Sequence, residues 1–165
     1  MNAKSAPGLG RQTIDDFLDE FLVACPRCGR QAVVRPSAGA VPPRLTCTSC
    51  GVAREWHSEA KGVLVSHASR TWPEGQFAIG DGADPYFHLP LWLRADCGGN
   101  LLWAFNPRHL RAIRDYVAAA DRSLPPGPAG GPVNTTLASR LPRWMKLARN
   151  RALVLHTIEQ IEARG

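Results

Sequence analysis

Lysine is nearly missing from this chain: 17 of its 20 basic residues are arginine and only three are lysine. Acidic residues are also few, 14 in all, so the formal charge is +6. That balance excludes an acidic carrier and points to anionic partners, with arginine suited to phosphate. The same bias accompanies abundant Ala, Gly and Pro, so composition alone does not single out a partner. No uninterrupted apolar run reaches the roughly 18 residues that a membrane-spanning helix needs. The opening stretch, MNAKSAPGLGRQTIDDFLDEF, lacks the apolar centre of a secretory signal. A cytoplasmic, reducing location is therefore expected. Repeats are absent too, apart from one short motif that occurs twice.

That motif is built on cysteine, itself scarce at five residues. CPRCG begins at Cys25 and CTSCG at Cys47, giving the pattern C-x2-C-x18-C-x2-C with Gly29 and Gly51 behind the two knuckles. In a reducing compartment, cysteines so paired read as thiolate ligands rather than disulfides. Each Cys-x-x-Cys turn offers two sulfurs to one tetrahedral ion, and the following glycine relieves crowding. Cys25, Cys28, Cys47 and Cys50 are thus the expected ligands of one structural Zn2+. Four cysteines close the coordination shell and leave no open position for water, so the ion's expected work is folding energy. Iron in a rubredoxin-like centre is the alternative, disfavoured by the basic charge.

A chain of 165 residues makes one ordinary domain or two very small ones, and a small one needs such a staple because its core is thin. Around the knuckles the chain reads as α+β. Residues 1–24 form a tail with a short helix over 13–23, capped by Thr13 and carrying Ile14, Phe17, Leu18 and Phe21 on one face. Residues 25–57 form the ribbon, with short antiparallel strands in QAVVR, RLTC and VAREW separated by the loop PSAGAVPP. Residues 58–121 hold a strand in GVLVSH, a loop PEGQFAIGDGADP, and a hairpin. YFHLPLWLRAD and NLLWAF flank Cys97-Gly98-Gly99, whose glycines permit a tight turn, and Pro90 marks an edge. Asn106-Pro107 then opens a helix with Leu110, Ile113, Tyr116 and Val117 inward. Residues 122–134 are a Pro- and Gly-rich connector. Residues 135–165 are a helical tail, with Thr135 or Thr136 capping a short helix through Arg140 and Pro142 opening a second one.

The knuckles CPRCG and CTSCG joined by strands resemble the zinc ribbon of transcription factor IIB type, over residues 25 to about 56. DPYFHLPLWLRADCGGNLLWAFNPRHL and SRLPRWMKLARNR resemble an uncharacterised bacterial family that carries this ribbon near its N-terminal end. The resemblance implies a metal-bearing ribbon that contacts nucleic acid or polymerase surfaces, and it implies no activity.

The remaining candidates are weaker. Cys97, beside Asp96 and nine residues after His88, could act as a nucleophile with a histidine base, yet no third group orients the pair, and a small packed residue is the simpler reading. His57 is a conceivable substitute ligand, read instead as an exposed strand-end histidine. GDGADP lacks the carboxylates of a calcium loop and reads as a turn. Tyr86, Phe87, Trp92, Trp103 and Phe105 would suit stacking on single-stranded bases but read first as core, with Trp56 and Trp72 packing beside the ribbon. In the tail, a continuous helix from Pro142 would line Leu141, Trp144, Met145, Ala148, Ala152 and Leu155 along one stripe and present Arg143, Lys146 and Arg149 on the opposite arc. With Arg140 and Arg151, that makes a basic amphipathic helix for a phosphate backbone; a membrane surface is less suited, because the helix turns acidic at Glu159 and Glu162. The sequence therefore leads to a non-enzymatic, zinc-bearing protein that binds nucleic acid through Arg140, Arg143, Lys146, Arg149 and Arg151. The alternative is an adaptor docking on a polymerase or another protein assembly, and an enzyme using Cys97 is the remote third.

Overall fold

The computed structural model describes residues 12–36, 41–57, 64–66, 77–79, 82–119 and 136–164. The connector 122–134, Trp72 and Asp81 lie outside them. The architecture is α+β as expected, and among the described residues no helix is long and apolar enough to cross a membrane. The backbone divides into two compact units: Leu18–Arg94 with Trp103–Asn106, and Met1–Phe17 with Ala95–Leu102 and Pro107–Gly165.

The first unit is built on a four-stranded antiparallel sheet, in the order β1 (Phe21–Ala24), β2 (Gln31–Arg35), β3 (Arg44–Thr46) and β4 (Ala53–Glu55). The strand β1 corrects the expected helix over 13–23, which is a single 3-10 turn, Ile14–Phe17, followed by the strand. The cause is pairing on both edges. One edge pairs with β2, while on the other Leu22 N–H donates to Phe105 O, Ala24 N–H to Pro90 O and Trp92 N–H to Leu22 O, each at 2.8 Å. A strand covered on both faces reads as an unbroken apolar run, and Phe21, Leu22 and Val23 are all buried. Pro90 stands where only its carbonyl is needed, so its missing N–H costs nothing.

Two further strands, β5 (Leu64–Ser66) and β6 (Phe77–Ile79), pair in parallel. The first matches the strand expected in GVLVSH, whereas the second corrects the loop expected over 73–85. Next comes a turn organised by Asp84, whose fully buried carboxylate accepts N–H bonds from Tyr86, Phe87 and Leu89 at 2.9, 2.8 and 2.7 Å. Burial pushes that carboxyl up, against the downward pull of the three N–H groups and of His88. This is the turn read from GDGADP. A chain of ring contacts crosses the unit from Trp103 through Phe105, Phe21 and Tyr86 to Trp56, with centroid spacings of 5.0, 5.0, 5.9 and 5.4 Å. Its inner members, Phe105 and Phe21, are fully buried. Tyr86, Phe87, Trp92, Trp103 and Trp56 are half-buried, so the aromatic set is core at its centre only.

β7 (Leu93–Asp96) and β8 (Leu101–Ala104) form the expected hairpin and run from one unit's residues into the other's. Its turn belongs to the second unit. Cys97 and Asn100 exchange backbone hydrogen bonds of 2.7 and 3.4 Å across Gly98 and Gly99, whose φ angles of 62° and 81° lie in the left-handed region that a two-residue hairpin loop requires at both positions. A Cβ on Gly98 would also lie 2.9 Å from Leu153 Cδ2, the end of an exposed side chain that would have to shift.

The helix α1 (Pro107–Ala118) starts at the predicted proline and buries Leu110, Ile113, Tyr116 and Val117, with His109 and Ala112 beside them. Asn106 precedes it, and its side-chain amide donates to Glu20 O at 3.0 Å. His109 stacks on Phe17 at 5.0 Å. Thr136 caps α2 (Leu137–Arg140), accepting from Ser139 N–H, while the Leu137 N–H donates to Gln12 O at 2.7 Å and Thr13 bridges Thr136.

The tail beyond Pro142 is not one helix. α3 (Arg143–Lys146) ends at Leu147, which is extended (ψ 131°), and a 3-10 turn leads into α4 (Arg151–Glu162). Side chains hold the break open: Asn150 Nδ2 takes the Trp144 carbonyl at 2.8 Å, and Lys146 Nζ takes Ser139 O at 2.8 Å. The expected stripe is therefore interrupted. Leu141 and Met145 are buried, Ala148 and Ala152 are exposed, and α4 turns Val154, Thr157, Ile158 and Ile161 inward to pack on α1. Arg151 closes this packing by donating to Val117 O at 2.9 Å and to Ala119 O, which satisfies carbonyls left bare at the end of α1.

Arg151→Gln is accordingly expected to lower unfolding free energy by about 2 kcal/mol. Arg149→Gln, at an exposed position, should change it by less than about 0.5 kcal/mol, both read from urea denaturation. A second prediction concerns acid. Burial holds the His109 imidazole down to about 3, against about 6.5 in an unfolded chain. Between those values the unfolded state binds the extra proton, so the stability tied to neutral His109 is complete above pH 6.5 and drains away as pH falls. Going from pH 7 to 4.5 should cost about 2–3 kcal/mol on this account, and His109→Phe should flatten that limb of the stability curve.

Candidate metal centre

The centre is one backbone turn used twice. In the first, Cys25 N–H donates to Arg30 O at 2.7 Å and Gly29 N–H to Cys25 O at 2.9 Å; in the second, Cys47 N–H donates to Val52 O and Gly51 N–H to Cys47 O, both at 2.9 Å. Gly29 and Gly51 have φ angles of 71° and 72°, and a Cβ on either would meet nothing within 4 Å. The glycines are needed for conformation and not for space. β1 leads into the first turn and β2 out of it, while β3 and β4 do the same for the second, so pairing of β2 with β3 brings the turns together.

All four predicted sulfurs meet, lying within 4.8 Å of one another. Cys25 Sγ is 3.7 Å from Cys50 Sγ, and Cys28 Sγ is 3.7 Å from Cys47 Sγ. A disulfide would need about 2.0 Å. Four thiolates about 2.3 Å from one central ion sit about 3.8 Å apart, so the sulfur set has the size of a tetrahedral metal cage. Cys25 and Cys47 are buried, Cys50 is half-buried and Cys28 is exposed.

The thiols are electrostatically at odds with one another. Burial pushes Cys25 up, but the N–H groups of Cys28 and Arg27 with the thiols of Cys28 and Cys50 outweigh it and bring it down to about 6. Burial likewise opposes ionisation of Cys47, and the N–H groups of Cys50 and Ser49 and the Cys28 thiol bring it below its usual value. For Cys28 the Arg30 N–H pulls down, yet burial and the sulfurs of Cys50, Cys25 and Cys47 leave it pushed up to about 11. A cation among the four sulfurs removes that conflict, since all can then ionise.

Arg27, which the spacing argument passed over, links the turns. Its N–H points at Cys25 Sγ (3.4 Å) and its guanidinium reaches the Cys50 carbonyl in the other knuckle (3.5 Å). A divalent ion with four thiolates is a dianion, and Arg27 is placed to offset it. The only sequence signal for this was a long cation between two ligands. His57 is exposed, 3.8 Å from Glu55, and does not join the cluster. Cys97 is buried.

The five basic tail residues have different surroundings. Lys146 and Arg151 bond internal carbonyls as described, whereas Arg140, Arg143 and Arg149 are exposed. Burial lowers the Lys146 ammonium from its usual range. Comparison with protein families, with characterised proteins and with solved structures found no match to this chain. The four-cysteine cluster in a short-stranded sheet is consistent with a zinc-ribbon-like module; the finer likenesses rest on the quoted motifs alone.

The purified chain is expected to hold about one divalent ion, by elemental analysis. Cys47→Ser should abolish stoichiometric binding. Arg27→Ala should keep the stoichiometry but speed transfer of the ion to a chelator by about tenfold, as loss of an outer-sphere partner does elsewhere.

Proposed function

We propose that this chain is a non-enzymatic zinc-ribbon protein of the reducing cytoplasm that contacts nucleic acid through exposed arginines. An all-sulfur cage supports zinc in a structural role, since the ion contributes folding free energy to strands of three to five residues and keeps no open position for a reactant. The basic charge supports zinc over iron. The burial of Cys97 supports leaving it out of any chemistry.

The observation that carries the nucleic-acid reading is the set of exposed arginines. On the tail, the side chains of Arg143 and Arg149 are exposed and make no hydrogen bond or ion pair among the described residues; Arg140 is exposed beside them in sequence and also has a partner within the fold. Lys146 and Arg151, bound to internal carbonyls, contribute charge there and not free side chains. The test is therefore Arg140→Gln, Arg143→Gln and Arg149→Gln together, with Lys146 and Arg151 kept. Binding to duplex and single-stranded oligonucleotides should weaken for all sequences alike, and the slope of log affinity against log salt should flatten by up to about three. Stability should stay within about 1 kcal/mol of the parent, because exposed charges contribute little. No binding at physiological salt would sink this reading in favour of the protein adaptor.

A further inference from the structure

The sheet's strongly apolar face comes to the surface at one edge. Arg54 is the register partner of Leu45, Leu45 of Val34, and Val34 of Phe21, so these four residues share a face. The ladder runs one step past β4, where the Trp56 N–H donates to Pro43 O at 2.7 Å. Two residues on from Arg54, Trp56 lies on that same face. The rings agree, for Tyr86 stands edge-on both to Trp56, at 5.4 Å, and to Phe21, at 5.9 Å. Phe21, Val34 and Leu45 are fully buried, but Trp56 and Tyr86 are half-buried and Arg54 is exposed. Arg54 thus shares the exposed edge of that face with Trp56, whose ring touches that of Tyr86.

Among the described residues, the Arg54 side chain makes no hydrogen bond or ion pair. The adjacent acid, Glu55, belongs to the opposite face and lies near His57. Burial, and then the charge of Asp84, push the Tyr86 phenol up, so its ring is neutral at physiological pH and does not repel phosphate.

Aromatic rings beside a cation suit unpaired bases, because every base offers a flat face to stack and every linkage a phosphate to neutralise. A duplex offers the phosphates but keeps its bases stacked on one another. We infer that the edge formed by Arg54, Trp56 and Tyr86 is a docking site for a single-stranded nucleic-acid segment. This rests on the nucleic-acid reading above and gives it a place on the ribbon that is separate in sequence from the tail arginines.

The test uses the full, zinc-loaded chain and an oligothymidylate of about 12 nucleotides, followed by tryptophan fluorescence and by anisotropy of an end label. Binding should quench the fluorescence. Trp56→Phe should remove most of the quench while keeping most of the affinity, and Trp56→Ala should weaken binding about tenfold. Arg54→Gln should flatten the salt slope by about one, and its exposure keeps the test sound even if Trp56→Ala fails to fold. A duplex of equal length should be indifferent to Trp56→Ala. If single strands bind with a quench that survives Trp56→Phe and a salt slope that ignores Arg54→Gln, while the triple tail variant weakens binding, the docking site is wrong and the broader reading stands. If neither single strand nor duplex binds at physiological salt, both fall. An acidic peptide that quenches Trp56 where the oligonucleotide does not would make the edge a protein-binding surface and overturn the inference.

Discussion

Four sulfur atoms held within 4.8 Å of one another repel as soon as more than one or two of them ionise, and the first unit is organised around that repulsion. The backbone of each knuckle supplies N–H donors that favour the charged form at Cys25 and Cys47, but donors alone leave Cys28 protonated. A central cation would complete the balance. The strands leading into the turns are three to five residues long, and a sheet of that size holds few contacts of its own. A metal there would join four points of chain that the sheet alone would hold loosely.

The arginine excess divides between interior and surface work. Arg151 closes the end of α1, Arg114 pairs with Glu162 at 2.9 Å, and Arg35 pairs with Glu20 at 2.8 Å. Arg27 reaches across the knuckles toward what would be a dianionic centre. Each is a cation that contributes to a count of net charge without offering a free side chain to a partner. What remains for an anion is a smaller set, Arg143 and Arg149 on the tail and Arg54 on the ribbon among them. Net charge bounds the class of partner; the bonding of each arginine decides where contact can occur.

The cysteine turns were legible in the sequence because their chemistry is local: ligand spacing, a following glycine and a short strand all fall between Cys25 and Arg35 and again between Cys47 and Glu55. So were the Gly98-Gly99 turn and the Pro107 helix start, which depend on single-residue φ preferences. β1 was not, since FLVA pairs on both edges with partners up to some 80 residues away and its apolar run carries no period. The break at Leu147 was hidden for a different reason. Leucine favours helices, and the interruption is held by the bonds of Asn150 and Lys146 to carbonyls, which no periodicity reports. The role of Arg151 was equally invisible, because a charged side chain on a helix looks the same whether it meets solvent or another helix's end.

The second unit is assembled from three separate stretches of chain, and that has a consequence during synthesis. Thr13 pairs with Thr136, and Gln12 O receives the N–H of Leu137, so the first described residues find their partners only after more than 120 further residues have been made. At ordinary translation rates that wait is roughly 6 to 25 s. The knuckles, by contrast, are complete once Val52 has emerged. The nascent chain therefore passes through a period in which its metal module can close while the segment just before it, with Phe17, has no α1 to lie against. Until α1 has been made, the Phe17 ring has no His109 to stack on and stays open to solvent.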